Sequence, residues 1–121
     1  MAEQTTRPPV EDRGRRVTFA KKLTATTATT VYTAPTGCIG AIAGKMKVAN
    51  VDGTNAVDVT VEYYDGTTAF KMVPTYSLAA DTFLDLDLLE IMLSPGTELR
   101  VTASAANDVE IVGVVREIYG R

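Results

Sequence analysis

The sequence predicts an all-β chain: a single antiparallel β-sandwich of seven to eight strands, jelly-roll-like, with an extended N-terminal arm in front. An immunoglobulin-like sandwich is the alternative. Three observations carry this expectation. Thr and Val together supply 32 of the 121 residues, and both favour strands. Turn signals recur every 8–14 residues along the chain, the spacing of short sandwich strands. No segment holds a helical period for any length. With one Cys and no Trp, the disulfide and buried tryptophan of antibody domains are excluded, which favours the jelly roll. The length suits one domain, and a chain of this size buries roughly two thirds of its unfolded surface.

Residues 1–15 contain Pro8-Pro9, a glycine and many charged or amide side chains, with almost nothing apolar. Adjacent prolines favour extended geometry, so these residues are read as an arm and residues 16–121 as the body. Val17, Phe19 and Leu23 mark a first strand, and the Thr/Ala-rich run over 24–33 forms a second that ends at Val31-Tyr32. Pro35 and Gly37 then place a turn at 34–37. Ile42, Met46 and Val48 share one parity and Lys45 and Lys47 the other, as in a strand with one wet face. The cleanest alternation follows: Val57, Val59, Val61 and Tyr63 against Asp58, Thr60, Glu62 and Tyr64. Asp65-Gly66 is a hairpin signal, with a return strand expected over 68–73 and stopped by Pro74. Leu84, Leu86 and Leu88 alternate with Asp85 and Asp87. The stretch 88–93 reads equally as strand or helical turn. Ser94-Pro95-Gly96-Thr97 is a turn, Leu99, Val101 and Ala103 form one face of another strand, and 105–108 connects to a last strand over 109–119. Ile111 and Val115 lie on one parity of that strand, Val112 and Val114 on the other, which predicts a central position.

Charge is uneven. Residues 1–22 hold six bases (Arg7, Arg13, Arg15, Arg16, Lys21, Lys22) against three acids, a net of +3, while the other 99 residues carry −6. Such asymmetry suggests a basic tail with its own partner. The acidic body of a neighbouring copy fits that tail, and nucleic acid is the competing candidate.

Two passages are familiar in pattern. Residues 24–37 (Thr-Ala-Thr-Thr-Ala-Thr-Thr-Val-Tyr-Thr-Ala-Pro-Thr-Gly) resemble the opening of small β-sandwich virion structural proteins of tailed bacteriophages. Residues 77–112, with Ser-Leu-Ala-Ala-Asp-Thr-Phe-Leu-Asp-Leu and then Leu-Ser-Pro-Gly-Thr-Glu-Leu-Arg-Val, resemble the later strands of the same group. The likeness spans about 24–119 and carries no chemical motif. It implies a particle component of the head, neck or tail, and leaves the arm to be read from its own residues.

The chemistry points the same way. Without His, imidazole-based triads and metal sites are excluded, and one Cys rules out CxxC and Cys-rich zinc centres. Ser77, Ser94 and Ser104 have no imidazole to activate them. Asp85, Asp87 and Glu90 offer oxygen ligands but lack a calcium-loop spacing, and read as a solvated sheet face. Cys38 reads as a small half-buried apolar residue, with an intersubunit disulfide as the alternative. No apolar run approaches the ~18–20 residues of a membrane span, and residues 1–9 lack the apolar stretch of a secretory signal.

The resulting expectation is a non-enzymatic structural protein of a phage particle, a capsid decoration (cement) protein located in the virion and made in the host bacterial cytoplasm. Arg7, Pro8, Pro9, Arg13, Arg15 and Arg16 are its candidate subunit-contact residues. The expected partners are copies of itself, as a homotrimer, and the major capsid protein or another virion protein. Membrane, metal and cofactor are not expected. A neck, collar or tail component with the same sandwich is one alternative. A receptor- or glycan-binding module using Tyr63, Tyr64 or Tyr76 as platforms is another.

Overall fold

The Asp65-Gly66 turn is the point about which the whole chain folds back on itself. The computed structural model describes residues 14–120, with nine strands in order: β1 (Gly14–Lys22), β2 (Thr29–Thr33), β3 (Gly40–Asn50), β4 (Val57–Tyr64), β5 (Ala69–Leu78), β6 (Phe83–Asp87), β7 (Met92–Leu93), β8 (Glu98–Ala103) and β9 (Val109–Ile118). β4 pairs with β5 across the turn, from Tyr64 opposite Ala69 to Val57 opposite Leu78. Further out, β3 pairs with β6 and β7, β2 with β8, and β1 with β9, all antiparallel. The chain is therefore one long hairpin, rolled up. Cross-pairing of β9 with β3 and of β8 with β4 joins its arms into two sheets. One has the order β1-β9-β3-β6, with β7 continuing the β6 edge on β3, and the other the order β2-β8-β4-β5. This is a jelly-roll sandwich with an all-β, antiparallel body, as the sequence predicts.

The tip is held by chemistry the dipeptide supplies. Asp65 Oδ1 accepts from the backbone N–H groups of Thr67 (2.8 Å) and Thr68 (2.7 Å), and Gly66 takes φ +103°. Only the glycine of the pair enters the left-handed region. Alternate residues of the facing strands then fill the interior: Val57, Val59 and Val61 from β4, Leu99 and Val101 from β8, Ile111 and Val115 from β9. β9 lies between β1 and β3, the central position expected of a strand apolar on both parities.

Three local expectations change. Ile42 does not share the core face with Met46 and Val48. β3 gains one residue against β9 between Ala43 and Met46, so Ala41 and Ala43 point inward before this bulge and Met46 and Val48 after it. Pro74 does not end its strand. β5 runs on to Leu78 because it is the sheet edge, where a missing N–H costs no ladder bond, and one register shift against β4 spans Pro74 while another lies just before it. The ambiguous stretch 88–93 is neither continuous strand nor helix. Leu89 and Glu90 take φ of 57° and 58°, a tight turn closed by Ile91 N–H donating to Leu88 C=O (3.1 Å), and the chain then rejoins the β3 edge as β7.

Candidate interaction surfaces

The candidate contact residues divide at the start of β1. Arg7, Pro8, Pro9 and Arg13 lie outside the described residues. Arg15 and Arg16, expected at the end of an arm, are strand residues: β1 opens at Gly14, with Arg15 opposite Glu117 and Arg16 opposite Arg116. The reason is a carboxylate the sequence reading passed over. Glu117 points inward on β9, only 3% exposed. It accepts a hydrogen bond from Tyr32 Oη on β2 (2.7 Å) and another from Tyr119 Oη (2.5 Å). The Arg15 guanidinium stands 3.6 Å from the same carboxylate and 5.5 Å from the centre of the Tyr119 ring. Burial by itself would raise the Glu117 carboxyl, but the two hydroxyls and the Arg15 charge outweigh it and hold its pKa below the usual range. Burial, with the Glu117 carboxylate next, pushes the Tyr32 hydroxyl well above the ordinary range. The network ties both sheets together where β1 begins. Its signal was present in sequence: Glu117 follows Ile111, Gly113 and Val115 on the inward parity of β9.

A second surface is the outer face of the five-stranded sheet. Val112 and Val114 of β9 occupy its centre, beside Ile42 of β3. Phe83 and Met92 stand on the far edge, 55% and 54% exposed. Around this apolar floor are Arg16, Lys22, Lys45, Lys47 and Arg116. Lys22 pairs with Glu110 (3.7 Å), and Lys47 Nζ sits 4.1 Å above the centre of the Phe83 ring. The guanidinium of Arg116 lies across the space a side chain at Gly14 would take. A concavity of about 390 Å³ opens between Arg16, Lys45, Arg116, Glu90, Ile42 and Val114. Asp85 and Asp87 face outward here, opposite Lys47 and Lys45. Among the described residues no three His, Cys, Asp or Glu side chains converge as a metal site would require.

The third surface is the end formed by the connections 23–28, 51–56, 79–82 and 104–108. Buried Asn50 organises it: its Nδ2 donates to the carbonyls of Asn55 (2.9 Å) and Leu78 (3.0 Å), and its Oδ1 accepts from Asp52 N–H (3.0 Å). Backbone bonds Val51 N to Asp108 O (2.8 Å) and Asp81 N to Asp52 O (3.0 Å) lock neighbouring loops together. These four connections carry Asp52, Asp81 and Asp108 and no base. Cys38 lies elsewhere, buried, with its thiol donating to Pro35 C=O (3.0 Å). Of the three tyrosines considered as platforms, Tyr64 is covered by the Arg100 guanidinium at 3.5 Å and Tyr63 packs against Phe70 at 6.4 Å.

The architecture defines a jelly-roll β-sandwich whose prominent features are surfaces. No family model matches the chain, and no curated protein matches it. Among solved structures it is similar to a chain in the acidic stable capsid of Helicobacter pylori bacteriophage KHP30. That match has 17% identity and a TM-score of 0.57, over 87% of this chain and 86% of the other. It is also similar to a chain of the Bacillus endospore appendages, described as a family of disulfide-linked pili. Here the identity is 19% and the TM-score 0.52, over 88% of each chain. At these identities the likeness is one of fold.

Proposed function

We propose that this chain is a non-enzymatic structural protein of a bacteriophage particle, a capsid decoration protein located in the virion. The observation that carries the reading is the outer face of the five-stranded sheet. A sheet face with Val112, Phe83 and Met92 about half exposed, bordered by lysines, arginines and the carboxylates of Asp85, Asp87 and Glu110, suits contact with another protein better than contact with water. The jelly roll it shares with a phage capsid chain supports the same reading. In this reading residues 1–13 contact a neighbour, while Arg15 and Glu117 hold the start of β1. Fully extended, residues 1–13 reach about 45 Å, enough to cross onto a neighbouring subunit. The partners are copies of the chain, arranged as a trimer, and the shell protein beneath. Many weak contacts to one lattice then multiply into firm attachment.

A neck, collar or tail component is the second reading, favoured by the same fold in a pilus chain. Copy number separates them. Quantitative densitometry of purified particles against the major capsid protein should give hundreds of copies for a decoration protein. Six or twelve copies would transfer the protein to the neck or tail. Absence from the particle would end both readings.

A further inference from the structure

The five-stranded sheet ends in two strands of opposite charge. β1 carries Arg15, Arg16, Lys21 and Lys22 and no acid. Residues 81–90, which hold β6 and the turn after it, carry Asp81, Asp85, Asp87 and Glu90 and no base. The strand next inward cancels neither sign. β9 adds Glu110, Arg116 and Glu117 beside β1, which leaves +3, and β3 adds Lys45 and Lys47 beside β6, which leaves −2. The other sheet ends differently. β5 is broken by Pro74 and register shifts, and short β2 has a shift of its own, features that discourage further pairing. β1 pairs with β9, and β6 with β3, without a break in register.

We propose that the β1 edge of one copy pairs antiparallel with the β6 edge of the next, so that the sheet continues from copy to copy. The backbones are in phase for it. Leu23 N–H donates to Val109 C=O, so alternation turns the odd residues of β1 toward β9 and leaves Arg16, Thr18 and Ala20 at the open edge. Asn50 N–H donates to Thr82 C=O and Leu88 N–H to Gly44 C=O, which leaves Phe83, Asp85 and Asp87 at the other. β1 and β6 run in opposite directions within the sheet, so the next copy's β1 meets β6 antiparallel without being turned over. One register sets Arg16 opposite Asp87 and Thr18 opposite Asp85 on the outer face, and brings Lys22 to Asp81. On the inner face it sets Val17 and Phe19 against half-buried Leu86 and Leu84. Like edges are refused, because two β1 strands would align base with base and two β6 strands acid with acid. A contact between unlike edges is heterologous, and it closes into a ring when the rotation between copies permits and otherwise runs on as a filament. Gly14 then stands beside the neighbour's Leu89, which delivers residues 1–13 to that neighbour. The inference rests on the self-association in the proposed function but not on its location in a particle.

The test uses the full chain and analytical ultracentrifugation at low salt. Thr18→Pro and Asp85→Pro each remove one edge-facing N–H and no bond within the copy, a change that edge strands accept, as β5 does at Pro74. The wild-type chain should sediment as an oligomer that weakens as salt rises. Each proline variant alone should be monomeric, with association weakened about tenfold or more and the wild-type fold by circular dichroism. Their equimolar mixture should form a dimer and nothing larger, because the first keeps its β6 edge and the second its β1 edge. Self-association of either variant at wild-type strength would mean that like edges pair, and would overturn the proposal, as would a mixture that stays monomeric. Hydrogen exchange on the wild-type chain needs no variant: the amides of Thr18 and Asp85 should slow together as the oligomer forms, and unchanged exchange at both would overturn the edge contact. A wild-type chain monomeric at every concentration would overturn it too, and would leave the copy-number test of the particle reading untouched.

Discussion

Glu117 shows what one inward-facing carboxylate does when its partners come from three directions. Tyr32 arrives from the opposite sheet, Tyr119 from beyond the end of β9, and Arg15 from the neighbouring strand. A carboxylate this buried is stable only while such donors surround it. Replacing it by Gln keeps the shape but removes the charge that strengthens each bond, so Glu117→Gln should cost about 1–3 kcal/mol at neutral pH by urea denaturation. The pH dependence has a defined sign. Because the folded carboxyl titrates below its unfolded value, its contribution is present above the unfolded pKa of about 4.3 and fades as pH falls through the folded pKa. The stability gap between the wild-type chain and the Gln variant should therefore be full at pH 6–7, roughly, and narrow steadily below about pH 4. A gap independent of pH would mean that the charge of Glu117 is not what holds the network, and no gap at all would mean that it acts only by filling space. Tyr32→Phe should reproduce part of the loss and soften the same pH profile.

Strands are where local pattern and tertiary pairing compete. The alternation over 57–63 was legible because β4 lies inside its sheet with one face in the core. The parity of β3 was not, since a bulge between Ala43 and Met46 inverts the faces halfway along, and no residue pattern announces the extra residue beforehand. Pro74 misled for a related reason: proline stops a central strand but not an edge strand, and edge position is a property of topology. Gly113 was equally silent. The Phe19 ring fills the space a Cβ would take there, so Gly113→Ala should push that ring out of the core, at a cost of about 1–3 kcal/mol in a denaturant titration. Unchanged stability would show that the β1–β9 contact can breathe. The turn between β6 and β7 holds strain in the other direction. Leu89 takes φ 57° and is 76% exposed, contributing little burial in return. Leu89→Asn, tolerant of that conformation, should raise stability by about 1 kcal/mol. If it instead lowers stability, the exposed leucine has packing worth more than the strain.

At the scale of the whole molecule, the long hairpin brings both ends of the body to one side and four interlocked loops to the other. The composition foretold the strand class and the turns foretold the spacing, but the nesting that makes a jelly roll comes from pairings between distant parts of the sequence, such as Gly14 with Ile118. The same distance hid the role of Arg15, which looks like the last residue of a basic tail until Glu117 is beside it. A pair of truncations turns this into an experiment. Removing residues 1–13 leaves every described strand and the Arg15–Glu117 contact in place, so the melting temperature should be nearly unchanged. Removing residues 1–16 also takes away three paired positions of β1 and uncovers Glu117, and should lower it by several degrees, about what 1–2 kcal/mol gives in a domain this size. Particle binding should behave differently: both truncations should weaken it alike if residues 1–13 clasp a neighbour. Changing Arg7 and Arg13 to Gln then isolates charge, and its effect should shrink at high salt, where exposed pairs are screened. Shells emptied of DNA provide the decisive comparison. Weaker decoration of empty shells by the 1–13 truncation places the contact on protein; equal decoration of empty shells, with a loss only on filled ones, would move it to packaged nucleic acid.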